Sequence, residues 1–247
     1  MAALRRNRVK HKLQDGKLAA AVMGPMSANL ADFIGPLGFD GIWFEAEHGE
    51  VDYGDIPNLS RACDLWGVTS IVRVNRNVPG IIYRTLDLGA QAICVPHVNT
   101  ADEARAIVQA AKFHPLGVRG ITAGRWAFGV ENALAKANDE TLLIVLIEDI
   151  VAVRNLPEIL SVDHIDVFYV APGDLGQSMG YLDRSHPEVR ATVERALGQI
   201  VASGRVAGTL VTDATVNGFL GLGVRFVTAG WTPWLTAGAE GFLAKVR

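Results

Sequence analysis

Short apolar runs alternate with amphipathic stretches along the whole chain. Eight of these runs have the length of a buried strand, at residues 18–23, 41–45, 69–73, 92–96, 142–148, 166–170, 205–211 and 225–229. Helical spacing of apolar residues separates them, most clearly at residues 101–112 and 186–204. The run LLIVLI has no polar alternation, which is typical of a parallel strand buried on both faces.

Eight strand–helix units are the number that closes a (β/α)8 barrel. An open doubly wound sheet gives a similar pattern, but no GxGxxG motif follows the first strand, where a dinucleotide-binding half would carry it. The chain has 247 residues, 49% of them hydrophobic, and no composition break typical of a linker. We therefore predict one α/β domain over residues 1–247, a single (β/α)8 TIM barrel, with a long functional loop at 113–139.

Charge and cysteine content narrow the possible partners. The net charge is −3 with both signs mixed along the chain, which argues against nucleic acid or an anionic membrane and for a small molecule. Cys63 and Cys94 form no CxxC pattern, so we expect neither a disulfide framework nor a structural zinc site. The basic first residues precede no apolar signal segment, and we expect a soluble cytoplasmic protein.

In such a barrel, chemistry is located at the carboxyl ends of the strands. The residues at those ends are Glu45, Glu47, His48, Arg73, His97, Glu148 and Asp174. Glu148 ends an apolar run, where an unpaired carboxylate would be costly, and Asp174 arrives from the next strand. We call them the carboxylate pair. One hypothesis makes the pair a Mg²⁺ or Mn²⁺ site, and the other gives each residue a capping or salt-bridging role.

His48 and Arg73 give the carboxylate pair possible partners in catalysis. His48 can transfer a proton, although an isolated loop histidine can also be incidental. Arg73 can stabilise a developing enolate oxygen, or it can pair with Glu45 or Glu47. A base, a cation and a metal site together would remove a proton next to a carbonyl and hold the enolate.

Four further residues suggest secondary roles. We interpret His97 as a pocket residue, and Gly173, in the segment APGDLG, leaves backbone N–H groups free for a substrate carboxylate. Asp87 ends a predicted helix, where its charge opposes the helix dipole and suggests a paired role. Arg119 either shapes the long loop or contacts an acidic substrate.

Long segments of the chain resemble the HpcH/HpaI aldolase family of class II pyruvate aldolases. The resemblance is carried by GFDGIWFEAEHGEVD, LDLGAQAICVPHVNTADEARAIVQAAKFHPLGVRG, LIEDIVAVRNLPEILSVDHIDVFYVAPGDLGQSMG and GVRFVTAG. It implies a barrel of the phosphoenolpyruvate/pyruvate type whose last helix is exchanged between subunits, assembled as a hexamer, a trimer of dimers.

The resemblance also implies roles for individual residues. Glu148 and Asp174 match the positions that bind Mg²⁺, Mn²⁺ or Co²⁺. His48 matches the catalytic base, Asp87 the carboxylate that orients it, and Arg73 the residue that polarises the pyruvate ketone.

Three positions depart from the family pattern in the expected substrate pocket. Glu45 stands where many members have aspartate, Leu146 where many have glutamine, and Ala171 where the GPxDL motif has glycine. These residues, with Gly173 and Arg73, are the predicted substrate-binding set. The glutamine helps to hold the oxo acid or its water, so Leu146 is the departure that bears most on donor preference.

The main hypothesis is reversible cleavage of a 4-hydroxy-2-oxo acid to pyruvate and an aldehyde by a metal-stabilised enolate. A second hypothesis keeps the enolate chemistry but makes the enzyme an oxaloacetate decarboxylase or a malyl-CoA-type lyase. The chain shows no basic cluster for the phosphates of coenzyme A. A third, of another class, is a barrel that binds an oxo acid without turning it over, and Leu146 is the residue that suggests it.

Overall fold

The structure is a computed structural model that describes residues 3–122, 124–183 and 185–247. Its strands are β1 (Ala19–Met23), β2 (Gly41–Glu45), β3 (Thr69–Arg73), β4 (Ala92–Val95), β5 (Leu142–Ile147), β6 (Val167–Val170), β7 (Ala207–Val211) and β8 (Phe226–Gly230). Its α-helices are α1 (Arg8–Gln14), α2 (Ala28–Ile34), α3 (Ile56–Trp66), α4 (Pro79–Asp87), α5 (Ala101–Ala111), α6 (Ala133–Glu140), α7 (Ile150–Arg154), α8 (Leu156–Leu160), α9 (Pro172–Ser178), α10 (Pro187–Ala202), α11 (Val216–Gly221) and α12 (Thr232–Val246).

All eight strands are parallel and pair in chain order, and β8 pairs with β1 to close the barrel. This confirms the predicted (β/α)8 fold, with strand ends within about two residues of the predicted runs. The interval 113–139 differs from the prediction of one long loop, because helix α6 begins at Ala133. Its sequence ALAKANDE is rich in helix-forming residues, and this local propensity prevails over the loop signal of the glycines before it.

Side chains of each strand alternate between the barrel interior and the surrounding helices. The interior holds an apolar cluster that includes Trp43, Ile71, Cys94, Leu146 and Tyr169. Two positions after Trp43, Ile71 and Leu146 come the polar residues Glu45, Arg73 and Glu148. The strand period therefore places these three polar side chains above the apolar cluster, at the carboxyl ends of the strands, which we call the mouth.

The opposite end of the barrel is closed by α1. Val9 and Leu13 of this helix belong to the interior apolar cluster. Buried Lys10 donates from its Nζ to Asp166 Oδ1 (2.7 Å) and to the Thr141 carbonyl (2.9 Å). The mouth is therefore the end at which a ligand can approach the interior-facing polar residues.

Helix α12 is exposed along its length, because none of its 15 residues is buried in the single chain. Its exposed apolar residues are Trp234, Leu235, Phe242, Leu243 and Val246. Across the described ranges, no helix combines the length and the apolar character needed to cross a membrane.

Candidate active site

The carboxylate pair stands at the mouth. Glu148 follows β5 directly and is 1% exposed, whereas Asp174 lies exposed in the first turn of α9. Glu148 Oε1 accepts a hydrogen bond from the His97 backbone N–H (2.8 Å), but the buried Oε2 has no hydrogen-bond partner in the described part of the chain. Burial raises the Glu148 pKa to about 7, and the charges of Asp174 and Glu47 add to the rise while His97 opposes it.

A buried carboxylate oxygen without a donor is the kind of atom that a cation would satisfy. The pair therefore fits an oxygen-ligated divalent metal ion. Within residues 3–122, 124–183 and 185–247, no group of three or more His, Cys, Asp or Glu residues is arranged as a metal site. Water or substrate oxygens would have to supply the remaining ligands, which suits a metal that binds substrate.

Arg73 is held between two carboxylates. Its Nε donates to Glu45 Oε2 (2.7 Å), and its Nη1 lies 3.0 Å from Glu47 Oε2. Glu45 and Arg73 are register partners on β2 and β3, so strand pairing brings them together. Of the two interpretations from the sequence, the pairing with Glu45 and Glu47 is present, and it holds a largely buried guanidinium at the mouth.

His48 lies in the turn after β2, and its side chain is 68% exposed. The Glu45 carboxylate shapes this turn, because its Oε1 accepts the backbone N–H groups of Glu47 (2.8 Å) and His48 (3.2 Å). His48 Nε2 lies 3.9 Å from Glu47 Oε2. The structure thus brings His48, Arg73 and Glu148 to one rim, as the sequence predicts, while the imidazole of His48 remains largely solvent-accessible.

Asp87 is placed at the other end of the barrel. It ends α4, which runs from the mouth back toward the start of β4, and its Oδ1 accepts a hydrogen bond from Arg119 Nη2 (2.6 Å). The Arg119 guanidinium also lies over the rings of Phe113 and Trp126, at 4.6 and 5.5 Å from the centroids. Within one chain Asp87 pairs with Arg119 and lies away from His48, and the role of Asp87 as the carboxylate that orients His48 stays a prediction.

The predicted substrate-pocket residues lie around the carboxylate pair. Leu146 is 1% exposed inside the barrel, two positions before Glu148 on the same strand face. Ala171 follows β6, and its N–H donates to the Ile147 carbonyl (3.3 Å). A Cβ added at Gly173 would meet no atom within 4 Å, so this backbone borders open space.

Glu47 is a mouth residue that the sequence named only by its position and as a possible partner of Arg73. Its side chain is 9% exposed and stands between Arg73, His48 and His97. Burial raises the Glu47 pKa, against the lowering effect of the Arg73 charge. The alternation of side chains along a strand correctly predicts that Glu45 points into the barrel. It could not predict where Glu47 points, because the strand ends at Glu45.

His97 is more firmly held than its interpretation as a pocket residue implied. Its Nδ1 lies 3.0 Å from Asp149 Oδ2, and its Nε2 lies 3.9 Å from Glu47 Oε1. Burial lowers the His97 pKa, but the hydrogen bond to Asp149 and the charges of the surrounding carboxylates outweigh it, so the pKa is raised.

A cavity of about 550 Å³ lies at the closed end of the barrel, away from the mouth. Several basic residues line it, but three of them are paired with carboxylates: Arg5 with Asp64, Lys12 with Asp40 and Lys17 with Asp15. The cavity is remote from the interior-facing Glu45, Arg73 and Glu148, so the mouth is the better candidate site.

Comparison with known proteins agrees with this choice. Residues 24–237 match the profile of a family described as HpcH/HpaI aldolase/citrate lyase. The chain is 34% identical to the 2-keto-3-deoxy-L-rhamnonate aldolase of Klebsiella pneumoniae, over 93% of this chain and 89% of that protein. It is 35% identical to the 4-hydroxy-2-oxo-heptane-1,7-dioate aldolase of Escherichia coli, over 90% of this chain and 87% of that protein.

A solved structure has the same architecture over the whole chain. An HpcH/HpaI aldolase/citrate lyase family protein from Burkholderia cenocepacia superposes with a TM-score of 0.91 and 27% sequence identity, covering 98% of this chain and 99% of that one. These matches confirm the resemblance that the sequence motifs indicated.

Proposed function

The chain belongs to the HpcH/HpaI aldolase/citrate lyase family, and from that premise we propose that it cleaves a 4-hydroxy-2-oxo acid reversibly to pyruvate and an aldehyde. The named relatives are aldolases, which confirms the prediction of an aldehyde-lyase. The observation that carries the assignment to this site is the buried, unpartnered Oε2 of Glu148, whose pKa is also raised by the charge of Asp174.

Aldolases of this family generally depend on a divalent metal ion. Here Glu148 and Asp174 would hold it, and their oxygen ligands suit Mg²⁺ or Mn²⁺, with Co²⁺ a further candidate. Such an ion supplies Lewis-acid polarisation of the ketone oxygen and compensates charge that develops there.

The protein's own residues would carry out the remaining steps. Arg73, oriented by Glu45 and Glu47, donates hydrogen bonds to the ketone oxygen as that oxygen gains charge. In the cleavage direction a base takes the proton of the C4 hydroxyl, the C3–C4 bond breaks, and the pyruvate enolate is protonated at C3. His48 serves as the group that moves this proton, and Glu47 Oε2 lies 3.9 Å from its Nε2.

The pocket walls would position the oxo acid. The backbone at Gly173 borders open space next to Asp174 and would receive the substrate carboxylate, while Ala171, whose N–H is bonded to the Ile147 carbonyl, lines the wall beside it. Leu146 provides an apolar floor beneath the bound acid, and Glu45 acts through Arg73.

The charge of the mouth favours this reaction over a coenzyme A thioester. The described side chains at the rim include Glu45, Glu47, Glu148, Asp149 and Asp174 against a single arginine, Arg73. The phosphates of coenzyme A would be repelled by such a rim.

We further propose that the chain assembles with copies of itself, as the family resemblance implies, in a hexamer with α12 exchanged between subunits. The exposed apolar residues of α12 support this, because a second copy would remove them from water. The two free cysteines, both buried, are compatible with a cytoplasmic location.

Exchange of the pyruvate methyl protons in D2O, followed by NMR, tests the proposed function without a known aldehyde. We expect exchange with Mn²⁺ or Mg²⁺ and none in excess EDTA. His48→Ala, Arg73→Lys and Glu148→Gln should each slow it by about a hundredfold or more, since each removes a group from the reacting centre.

Glu194→Gln is the matched control for these variants, because Glu194 pairs with Arg190 on the exposed face of α10. It should exchange at the wild-type rate. Full exchange in EDTA, or in the Glu148→Gln variant, would reject a metal-dependent mechanism, and pyruvate binding without any exchange would instead indicate a barrel that binds the acid without turnover.

A further inference from the structure

His97 occupies an unusual backbone position directly after β4 and Pro96. Its φ is 51°, in the left-handed region that few residues other than glycine adopt. In this conformation its N–H reaches Glu148 Oε1 at 2.8 Å. The turn therefore ties His97 to the carboxylate pair independently of its side chain.

The imidazole is held by a chain of side-chain contacts from the next loop. Asp149 Oδ2 lies 3.0 Å from His97 Nδ1 and also accepts a hydrogen bond from Asn99 Nδ2 (3.0 Å). Asn155 Nδ2 in turn donates to the Asn99 carbonyl (2.8 Å). Asp149 precedes α7 as its N-cap, yet its side chain makes no capping hydrogen bond. Its carboxylate is directed to His97 instead of the helix terminus.

This arrangement leaves one ring nitrogen of His97 facing the mouth. With Nδ1 directed to the Asp149 carboxylate, Nε2 is the nitrogen left for a ligand. Its nearest charged neighbour is Glu47 Oε1 at 3.9 Å, too far for a direct hydrogen bond. The result is a fixed imidazole and a carboxylate, separated by a gap that a small polar group can bridge.

Burial indicates which part of a substrate would meet this gap. The side chains of Glu148 and Arg73 are 1% and 13% exposed, whereas that of His97 is 56% exposed. An oxo acid bound by the deep residues would direct its far portion, the aldehyde half, toward His97 at the rim.

We propose that His97, positioned by Asp149, is a specificity-determining residue that recognises a hydroxyl group on the aldehyde half of the substrate. This inference rests on the proposed aldol cleavage. A hydroxyl group can hydrogen-bond both the imidazole nitrogen and the Glu47 carboxylate. An anionic substituent would meet Glu47, Glu148 and Asp149, and an apolar one would leave Nε2 and Glu47 without partners.

Aldol addition of pyruvate to glycolaldehyde and to acetaldehyde tests the proposal, because these acceptors differ by one hydroxyl group. The measured quantity is the ratio of kcat/KM for the two aldehydes, in the wild type and in His97→Asn. Asparagine tolerates a positive φ, so the backbone contact to Glu148 is kept, but its side chain is too short to reach the gap. His164→Asn is the matched control, since His164 has a φ of 67° and is exposed before β6, away from the mouth.

We expect the preference for glycolaldehyde to fall about tenfold in His97→Asn, the effect of one lost hydrogen bond, and to be unchanged in His164→Asn. Asp149→Ala should lower the ratio in the same direction, and combining it with His97→Asn should add little, because Asp149 acts through His97.

Pyruvate methyl-proton exchange separates this inference from the proposed function. Exchange in His97→Asn should remain measurable, and a change in the rate of enolate formation would affect both aldehydes alike and cancel in their ratio. An unchanged aldehyde ratio in a variant that still exchanges would overturn the role of His97 alone. Absence of exchange in the wild type would overturn the proposed function and this inference with it.

Discussion

Glu148 shows how a single residue can be interpreted from its place at a strand end. A carboxylate after six apolar residues has to lie at the edge of the core, and the structure places it there with one oxygen unpartnered. Burial favours its neutral form, which is why its pKa rises to about 7. A divalent ion and a proton would compete for the same oxygen.

We therefore expect the affinity for Mn²⁺ to depend on pH through Glu148. Above about pH 7 the carboxylate is ionised and affinity should be nearly constant, whereas below it each pH unit should weaken binding by up to about tenfold. Isothermal titration calorimetry from pH 5.5 to 8.5, roughly centred on that pKa, measures this. Glu148→Gln should bind weakly at every pH. Wild-type affinity that stays constant between about pH 5.5 and 7 would contradict the assignment.

At the scale of elements, Lys112 joins the end of α5 to the segment before β5. It is 2% exposed, and its Nζ donates to the carbonyls of Asn138 (2.7 Å) and Thr141 (2.6 Å). Burial lowers its pKa to about 7, and the nearby charge of Lys10 adds to the effect. The packing of α5 and α6 on the barrel therefore includes a buried amine that loses its proton more easily than in water.

This predicts a stability that rises with pH. The unfolded chain keeps Lys112 protonated up to about pH 10.4 while the folded chain releases that proton near pH 7, so the unfolded state binds more protons in between. The free energy of unfolding of the wild type, relative to Lys112→Met, should increase by up to ~1.4 kcal/mol per pH unit across that window. Urea unfolding between about pH 7 and 9.5 measures the difference.

Lys17→Met is the control for that series, because Lys17 is exposed and pairs with Asp15 at the surface. The difference in the free energy of unfolding between the wild type and Lys17→Met should vary little with pH. If the difference in the free energy of unfolding between the wild type and Lys112→Met stayed constant with pH, the buried amine would not titrate as described.

At the scale of the whole molecule, α12 is the part that the single chain leaves uncovered. Trp234 contacts Phe39 with ring centroids 6.1 Å apart and donates from its Nε1 to Asp213 (3.2 Å), which holds the start of the helix. Beyond this point Phe242 is 64% exposed and Val246 63% exposed. Exposed apolar side chains along a helix of 15 residues are unfavourable in water, so we expect a second subunit to cover α12.

Phe242→Asp should therefore weaken assembly, because it places a charge within the surface that a second copy would cover. Sedimentation velocity should show the wild type as an oligomer and the variant shifted toward smaller species. Leu182→Asp provides the comparison, since Leu182 is 94% exposed but lies outside α12, and it should assemble normally. A wild type that sediments as a monomer would reject the proposed assembly.

The sequence by itself determined the barrel and the positions of Glu45, Arg73 and Glu148 at its mouth. Burial on both faces of a strand, alternation along it and the ends of apolar runs are properties of contiguous residues, so one chain segment suffices to predict them. Eight such segments in succession then predict closure, which the pairing of β8 with β1 confirms.

Only the tertiary structure decided which polar residues act together. Asp87 bonds Arg119 across 32 residues of sequence, and His97 is held by Asp149 across 52. Glu47, just past its strand, turns back between Arg73 and the two histidines. Such partnerships depend on the direction of each helix relative to the barrel and on the backbone of each turn. Local periodicity reports whether a side chain is buried, but the atoms it meets are set by segments distant in the sequence.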